Sequence, residues 1–151
     1  MKVKHDKMST PEIVWLNQWK YVLPDYKFIT DMGIGILDEA PAYEGEHLVI
    51  PGGRYTPDFI HRAYNKTGKM LNIYIECKPD VRYARGKNAG KRVYSIPGYR
   101  DSRVRLNAAA SIYREHVFIA AFWSSRTQTW ELEYIKPDGI MWTINANSNQ
   151  P

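Results

Sequence analysis

A single cysteine, Cys77, is present among the 151 residues, so no intramolecular disulfide can form, and the composition predicts a protein of a reducing cytosol. The four histidines, His5, His47, His61 and His116, are scattered without ligand spacing, which argues against a structural zinc site. No stretch approaches the roughly 20 apolar residues of a membrane span, and Met1 to Ser9 contains no apolar segment of the signal-peptide kind. Gly33-Ile34-Gly35 is followed by neither lysine nor Ser/Thr at phosphate-loop spacing, and there is no nucleophile-elbow motif. Internal repeats and dividing linkers are also missing. The expectation is one soluble domain over 1–151, cytoplasmic, without membrane contact, its polar ends (1–8 and 145–151) flexible.

What remains is ordinary in bulk and uneven in detail. Hydrophobic residues make up 44% and charged residues 25%, as in a globular protein. The net charge of +5 raises the expectation of a polyanionic partner without identifying one.

The most informative stretch runs from Tyr55 to Lys78. Tyr55-Thr56-Pro57-Asp58-Phe59-Ile60 and Leu71 to Lys78 both read as strands, separated by the turn-forming Asn65-Lys66-Thr67-Gly68-Lys69. A period of two puts Ile73, Ile75 and Cys77 on one face and Tyr74, Glu76 and Lys78 on the other. If the strands pair as a hairpin, Asp58 comes beside Glu76, giving two carboxylates and an amine at one place. Carboxylate oxygens suit a hard divalent cation such as magnesium, and a neighbouring lysine suits a water or phosphate beside that ion.

Pro57-Asp58 followed on the next strand by Glu76-Cys77-Lys78 resembles the signature of the PD-(D/E)xK nuclease superfamily. The nearer resemblance is to the phage endonuclease I family of Holliday junction resolvases. It rests on Tyr55 to Phe59, on Glu12 in an early helix, and on Ser124-Ser125-Arg126-Thr127 after a later strand. The likeness spans about residues 9 to 130 and is concentrated in these islands. It implies an α/β fold with a restriction-endonuclease-like mixed β-sheet flanked by helices. It further implies a magnesium-dependent endodeoxyribonuclease, with manganese able to substitute, acting on branched DNA as a homodimer in a host cytoplasm. In that picture Asp58, Glu76, the Cys77 backbone carbonyl and Glu12 hold the metal, and Lys78 orients or deprotonates the attacking water. The expected products are a 5′-phosphate and a 3′-hydroxyl. Glu12 also reads simply as a helix-start acid favoured by the dipole, and His61 as a strand-end side chain or a substrate contact.

Around this stretch the chain predicts a helix from Ser9-Thr10-Pro11-Glu12 to Leu23, a strand over 26–36, an acidic loop over 38–46 and a short strand over 47–50. A second helix runs from Asp101 or Ser102 to about Glu115, with Val104, Ala108, Ala109 and Ile112 along its apolar side. Strands over 116–123 and 130–135 follow, then a turn at 137–139 into a strand over 140–144. Between Arg82 and Arg105 lie eight basic residues and one acid, Asp101. Arg82, Arg85, Lys87, Lys91, Arg92, Arg103 and Arg105 are the candidate DNA contacts, with Tyr83, Tyr94 and Tyr99 interleaved. An ordinary solvated loop is the alternative. Three other readings stand beside the resolvase: a duplex or single-strand nuclease of the same fold, a non-catalytic DNA-binding module, and a plain Glu76–Lys78 ion pair on an exposed strand.

Overall fold

The computed structural model describes residues 8–37, 39–42, 46–94 and 99–137, with only the helical backbone given for residues 99 and 100. The expected strand over 140–144 and tail over 145–151 lie outside these residues, as do residues 1–7 of the expected arm. Met8 is buried against the core, so the arm ends one residue earlier than the sequence suggests.

Helix α1 (Thr10–Val22) begins as its sequence dictates. The Ser9 hydroxyl accepts the Glu12 N–H while Glu12 Oε1 accepts the Ser9 N–H at 3.0 Å, a reciprocal capping box, and Pro11 occupies the first turn. Trp15 and Trp19, one turn apart, form its buried side. The predicted strand over 26–36 is instead helix α2 (Lys27–Asp31) followed by only two strand residues, β1 (Gly35–Ile36). Lys27 and Asp31 pair one turn apart at 2.8 Å, and Phe28 stacks on Tyr134 at 3.8 Å. Gly33, at φ +66, then turns the chain in a conformation that other residues resist. Tertiary contact and a left-handed turn here outweigh β propensity.

Strands β2 (Leu48–Ile50) and β3 (Gly53–Tyr55) form a small separate hairpin. Tyr55 to Ile60 is therefore not one strand. Pro57 has no N–H to give a ladder, and β4 (Phe59–Tyr64) starts only after Asp58. β4 pairs antiparallel with β5 (Met70–Pro79), as expected. In the turn between them Asn65 Oδ1 accepts the backbone N–H groups of Thr67 and Lys69, and Gly68 sits at φ +89.

Helix α3 (Tyr99–Ile112) precedes β6 (Val117–Ser124) and β7 (Thr129–Tyr134). The five-stranded sheet has the order β1-β4-β5-β6-β7, with β5 and β6 parallel and the other pairs antiparallel. Crossing from β5 to a parallel neighbour requires the long connection that contains α3. β5 is the central strand, and its alternation divides two cores. Ile73, Ile75 and Cys77 pack with Trp15 and Trp19 of α1, while Tyr74 packs with Phe118, Phe122 and Leu106, Ala109 and Ala110 of α3. The buried side of α3 is thus Leu106, Ala109 and Ala110. Val104 and Ile112, expected on that side, are exposed because the helix is rotated to set its alanines against the sheet. Among the described residues no helix is long and apolar enough to cross a membrane.

His61 is neither a strand-end side chain nor a surface contact. It is buried on the α1 side, where Trp15 Nε1–H donates to its Nε2 at 3.0 Å and Trp19 packs at 4.7 Å. Burial holds its pKa down at about 3, from an ordinary 6.5. The unfolded chain therefore binds a proton that the folded chain refuses, so His61 lowers stability as pH falls from about 6.5 toward 3. His61→Gln keeps an acceptor for Trp15 without a titrating group. In urea melts between pH 6.5 and 3.5, wild type should lose stability faster than the variant, by up to about 1.4 kcal/mol per pH unit.

Candidate active site

The site forms where the β4–β5 ladder stops. Phe59 pairs with Ile75, and beyond that point no strand of the described residues pairs with β5 on this side. Asp58, released from the strand by Pro57, bridges the gap: its N–H donates to the Ile75 carbonyl at 3.0 Å and its Oδ2 accepts the Cys77 N–H at 2.8 Å. Strand geometry turns the N–H and C=O of one residue to the same side. The Cys77 carbonyl therefore faces the side on which the Asp58 carboxylate lies.

Glu76, one residue along, points to the α3 side and is only 5% exposed. Its Oε1 accepts the Tyr55 hydroxyl at 2.8 Å, and its Oε2 lies 3.3 Å from Lys78 Nζ. Lys78 Nζ also donates to Ser102 Oγ on α3 at 3.2 Å. The ion pair expected between Glu76 and Lys78 thus exists, but on a buried strand rather than an exposed one.

The electrostatics follow from this crowding. Burial, then Glu76, then Glu12 hold the Asp58 carboxyl well above the usual range, against the pull of the Cys77 N–H and Lys78. Burial raises Glu76 too, opposed by Lys78 and by the Tyr55 hydrogen bond. Burial and the two acids push the Tyr55 phenol well up, so Tyr55 is a donor and not an anion at neutral pH. The Cys77 thiol is likewise pushed up by burial and lies on the α1 side, away from Glu76.

Glu12 is also engaged at its own helix start. Its Oε1 accepts both the Ser9 N–H and, at 2.9 Å, the Ser9 hydroxyl, although its charge is felt by Asp58 and Glu76. Among the described residues no three His, Cys, Asp or Glu side chains converge into a group able to hold a metal ion. The expected four-ligand set is therefore not assembled through side chains. What is assembled is the buried carboxylate of Glu76, the half-buried one of Asp58 and a carbonyl. That set fits magnesium, which commonly binds through one or two carboxylates and keeps several waters. Two mutually repelling acids that share one ammonium are also a place where added positive charge is favoured.

The basic residues divide. Arg82 lies against Asp80 at 2.9 Å and Glu131 at 2.9 Å; Arg92 pairs with Asp80 at 3.1 Å and with Glu131; Arg103 pairs with Glu133 at 3.0 Å. These three are tied to acids of the protein. Arg85, Lys87, Lys91 and Arg105 are exposed. Ser124 ends β6 and residues 125–128 form the β6–β7 turn, at the same end of the parallel pair as Lys78.

Sequence reasoning missed Tyr55 and Ser102 as partners of the site. Tyr55 sits inside the motif, three residues before Asp58, but its reach to Glu76 depends on the β2–β3 hairpin. Ser102 reads as a helix cap and lies instead within α3. Asp80, Glu131 and Glu133 were equally invisible as partners of the arginines.

Because burial and repulsion raise the Asp58 and Glu76 pKa values, the folded protein holds protons more readily than the unfolded one, and the pair weakens stability as pH rises. Asp58→Asn retains an acceptor for the Cys77 N–H and removes the repulsion. In chelator at pH 8 it should stabilise the fold by on the order of 1 kcal/mol. That gain should shrink as pH falls toward the ordinary carboxylate range, as thermal melts across pH 4 to 8 would record.

Comparison of the chain with protein-family models, with curated proteins and with solved structures returns no match.

Proposed function

We propose that this chain is a magnesium-dependent DNA endonuclease with a restriction-endonuclease-like core, and that its substrate is a four-way DNA junction. The observation that carries the nuclease reading is the convergence of Asp58, Glu76 and Lys78 at the end of the central strand, with 2.8 Å and 3.3 Å contacts fixing the two carboxylates. The mixed sheet with a helix core on each face supports the fold, and the resemblance of Tyr55 to Phe59, Glu12 and Ser124 to Thr127 to phage resolvases supports the junction.

Asp58, Glu76 and the Cys77 carbonyl would hold the metal, with Glu12 adding negative charge. Bound there, magnesium makes water more acidic and offsets charge on the phosphate. The protein's own contribution is positional. Asp58 is fixed by the Cys77 N–H, and Glu76 is fixed at one oxygen by Tyr55. Lys78, suspended between Glu76 and Ser102, would orient a water and hold charge beside the scissile phosphate. Tyr55 and Ser102 thus orient the acting groups without touching the reacting atoms. Resolution needs two such sites on opposing strands, hence a homodimer.

The test offers labelled junction, linear duplex and single strand to the purified protein, with magnesium or chelator. Asp58→Asn and Glu76→Gln should each lower cleavage by at least about 100-fold, and Lys78→Met by about 100- to 10,000-fold, a loss typical of removing a proton-handling group. Symmetric paired nicks confined to the junction fit the full proposal. Cutting of all three substrates removes the junction alone, and wild-type inactivity on every substrate with magnesium or manganese removes the nuclease.

A further inference from the structure

We infer that residues 81–93 form a preformed basic prong whose tip, Arg85, Lys87 and Lys91, grips the phosphodiester backbone of duplex DNA, while Arg82, Arg92 and Arg103 serve as internal braces. This rests on the nuclease reading for its choice of partner and identifies the surface that such a partner would meet.

The segment has the hydrogen bonds of a small hairpin. Val93 N–H donates to the Val81 carbonyl at 2.8 Å, Tyr83 N–H to Lys91 at 3.0 Å, and Gly90 N–H to Tyr83 at 2.8 Å; Arg82 and Arg92 face each other across it. Ala89 N–H to Gly86 and Lys91 N–H to Asn88 close the tip, with Gly86 and Gly90 at φ +83 and +82. The order is therefore built in before any ligand arrives, which reduces the entropy that binding must overcome.

The base of the prong is neutralised from within. Asp80, Glu131 and Glu133 oppose Arg82, Arg92 and Arg103, and the Arg92 guanidinium lies 3.8 Å over the Phe122 ring. Burial pulls the Asp80 pKa up, but hydrogen bonds from Arg82 and Arg92 outweigh it and leave the carboxyl below its ordinary value. Those arginines have acids for partners already, so a phosphate would have to displace them. The tip has the opposite character: residues 85–91 carry three cations and no acid, and all three cations are exposed.

Strand register fixes where the prong stands. Lys78 and Glu131 are both paired with Phe122, and Glu76 and Glu133 with Ala120, so all four side chains belong to one face of the sheet. The prong leaves β5 directly after Lys78 and Asp80 and is anchored on that same face. A backbone lying along the tip would meet the face of the sheet that carries Glu76 and Lys78, and positioning without base reading is what phosphate contacts supply.

The experiment measures binding of a labelled linear duplex in chelator, so that no cutting intervenes, across a range of salt concentrations. Two charge-matched triple variants are compared with wild type: Arg85→Ala/Lys87→Ala/Lys91→Ala at the tip, and Arg62→Ala/Lys66→Ala/Lys69→Ala on β4 and its turn. The latter centre on the opposite end of β5, roughly 30 Å away at strand rise. Each lost phosphate contact should reduce the slope of log K against log salt by about 0.9. The tip variant should therefore be shallower by about 2 to 3, with the second variant near wild type and both melting at wild-type temperature. Equal loss in both variants, an unchanged slope at the tip, or no binding by wild type would each overturn the prong. Cleavage assayed in parallel separates the two readings. A protein that cuts DNA with an unchanged tip slope loses only the prong, whereas one that binds through the tip without cutting loses only the nuclease.

Discussion

Glu76 carries a carboxylate into the interior of the molecule, and much of the surrounding structure is arranged to make that tolerable. A buried charge without partners costs several kcal/mol, roughly, even after the protein relaxes around it. Here one oxygen receives the Tyr55 hydroxyl and the other faces the Lys78 ammonium. Each partner is supplied by a different part of the chain. Tyr55 needs the β2–β3 hairpin to bring it under α3, and Lys78 is steadied by Ser102 of α3 itself. The small hairpin and the long connection, which look peripheral in the topology, are both required by one side chain.

Asp58 adds a second acid where a first is already expensive. Its place follows from Pro57, which ends the ladder and leaves the Ile75 carbonyl and the Cys77 N–H to be met by Asp58. Two acids raised together by burial and repulsion do not help the fold. Perturbed groups of this kind gather where chemistry is done, although structural ion pairs also produce them. What distinguishes this case is that the compensation is partial. Among the described residues one lysine serves two acids, and Glu12 contributes further negative charge.

The alternation of β5 was legible because a central strand obeys a strict period of two, and both cores follow from it. The α1 start was legible because capping is local: Ser9, Pro11 and Glu12 carry the whole signal within four residues. The carboxylate pair and Lys78 could be placed because a proline, an alternating strand and a turn of known residues leave little choice of register. Helix α2 could not be read, since its five residues depend on Phe28 meeting Tyr134, more than a hundred positions away. The exposed Val104 and Ile112 mislead for a related reason: α3 takes its orientation from the small alanines that fit against Phe118 and Phe122, not from its largest apolar residues.

The same limit applies to charge, and there it changes the functional argument. A segment with eight cations and one acid suggests a surface that is basic throughout. In the folded chain, β7 returns Glu131 and Glu133 to that segment, and with Asp80 they take up Arg82, Arg92 and Arg103. Guanidinium suits this use, since its fork can meet several oxygens at once while its plane rests on Phe122. Lysine, a point charge on a flexible stem, is left mainly at the tip. Counting cations along the sequence therefore overstates the charge that the fold leaves exposed, which among the described residues of that segment is Arg85, Lys87 and Lys91 at the hairpin tip and Arg105 on α3.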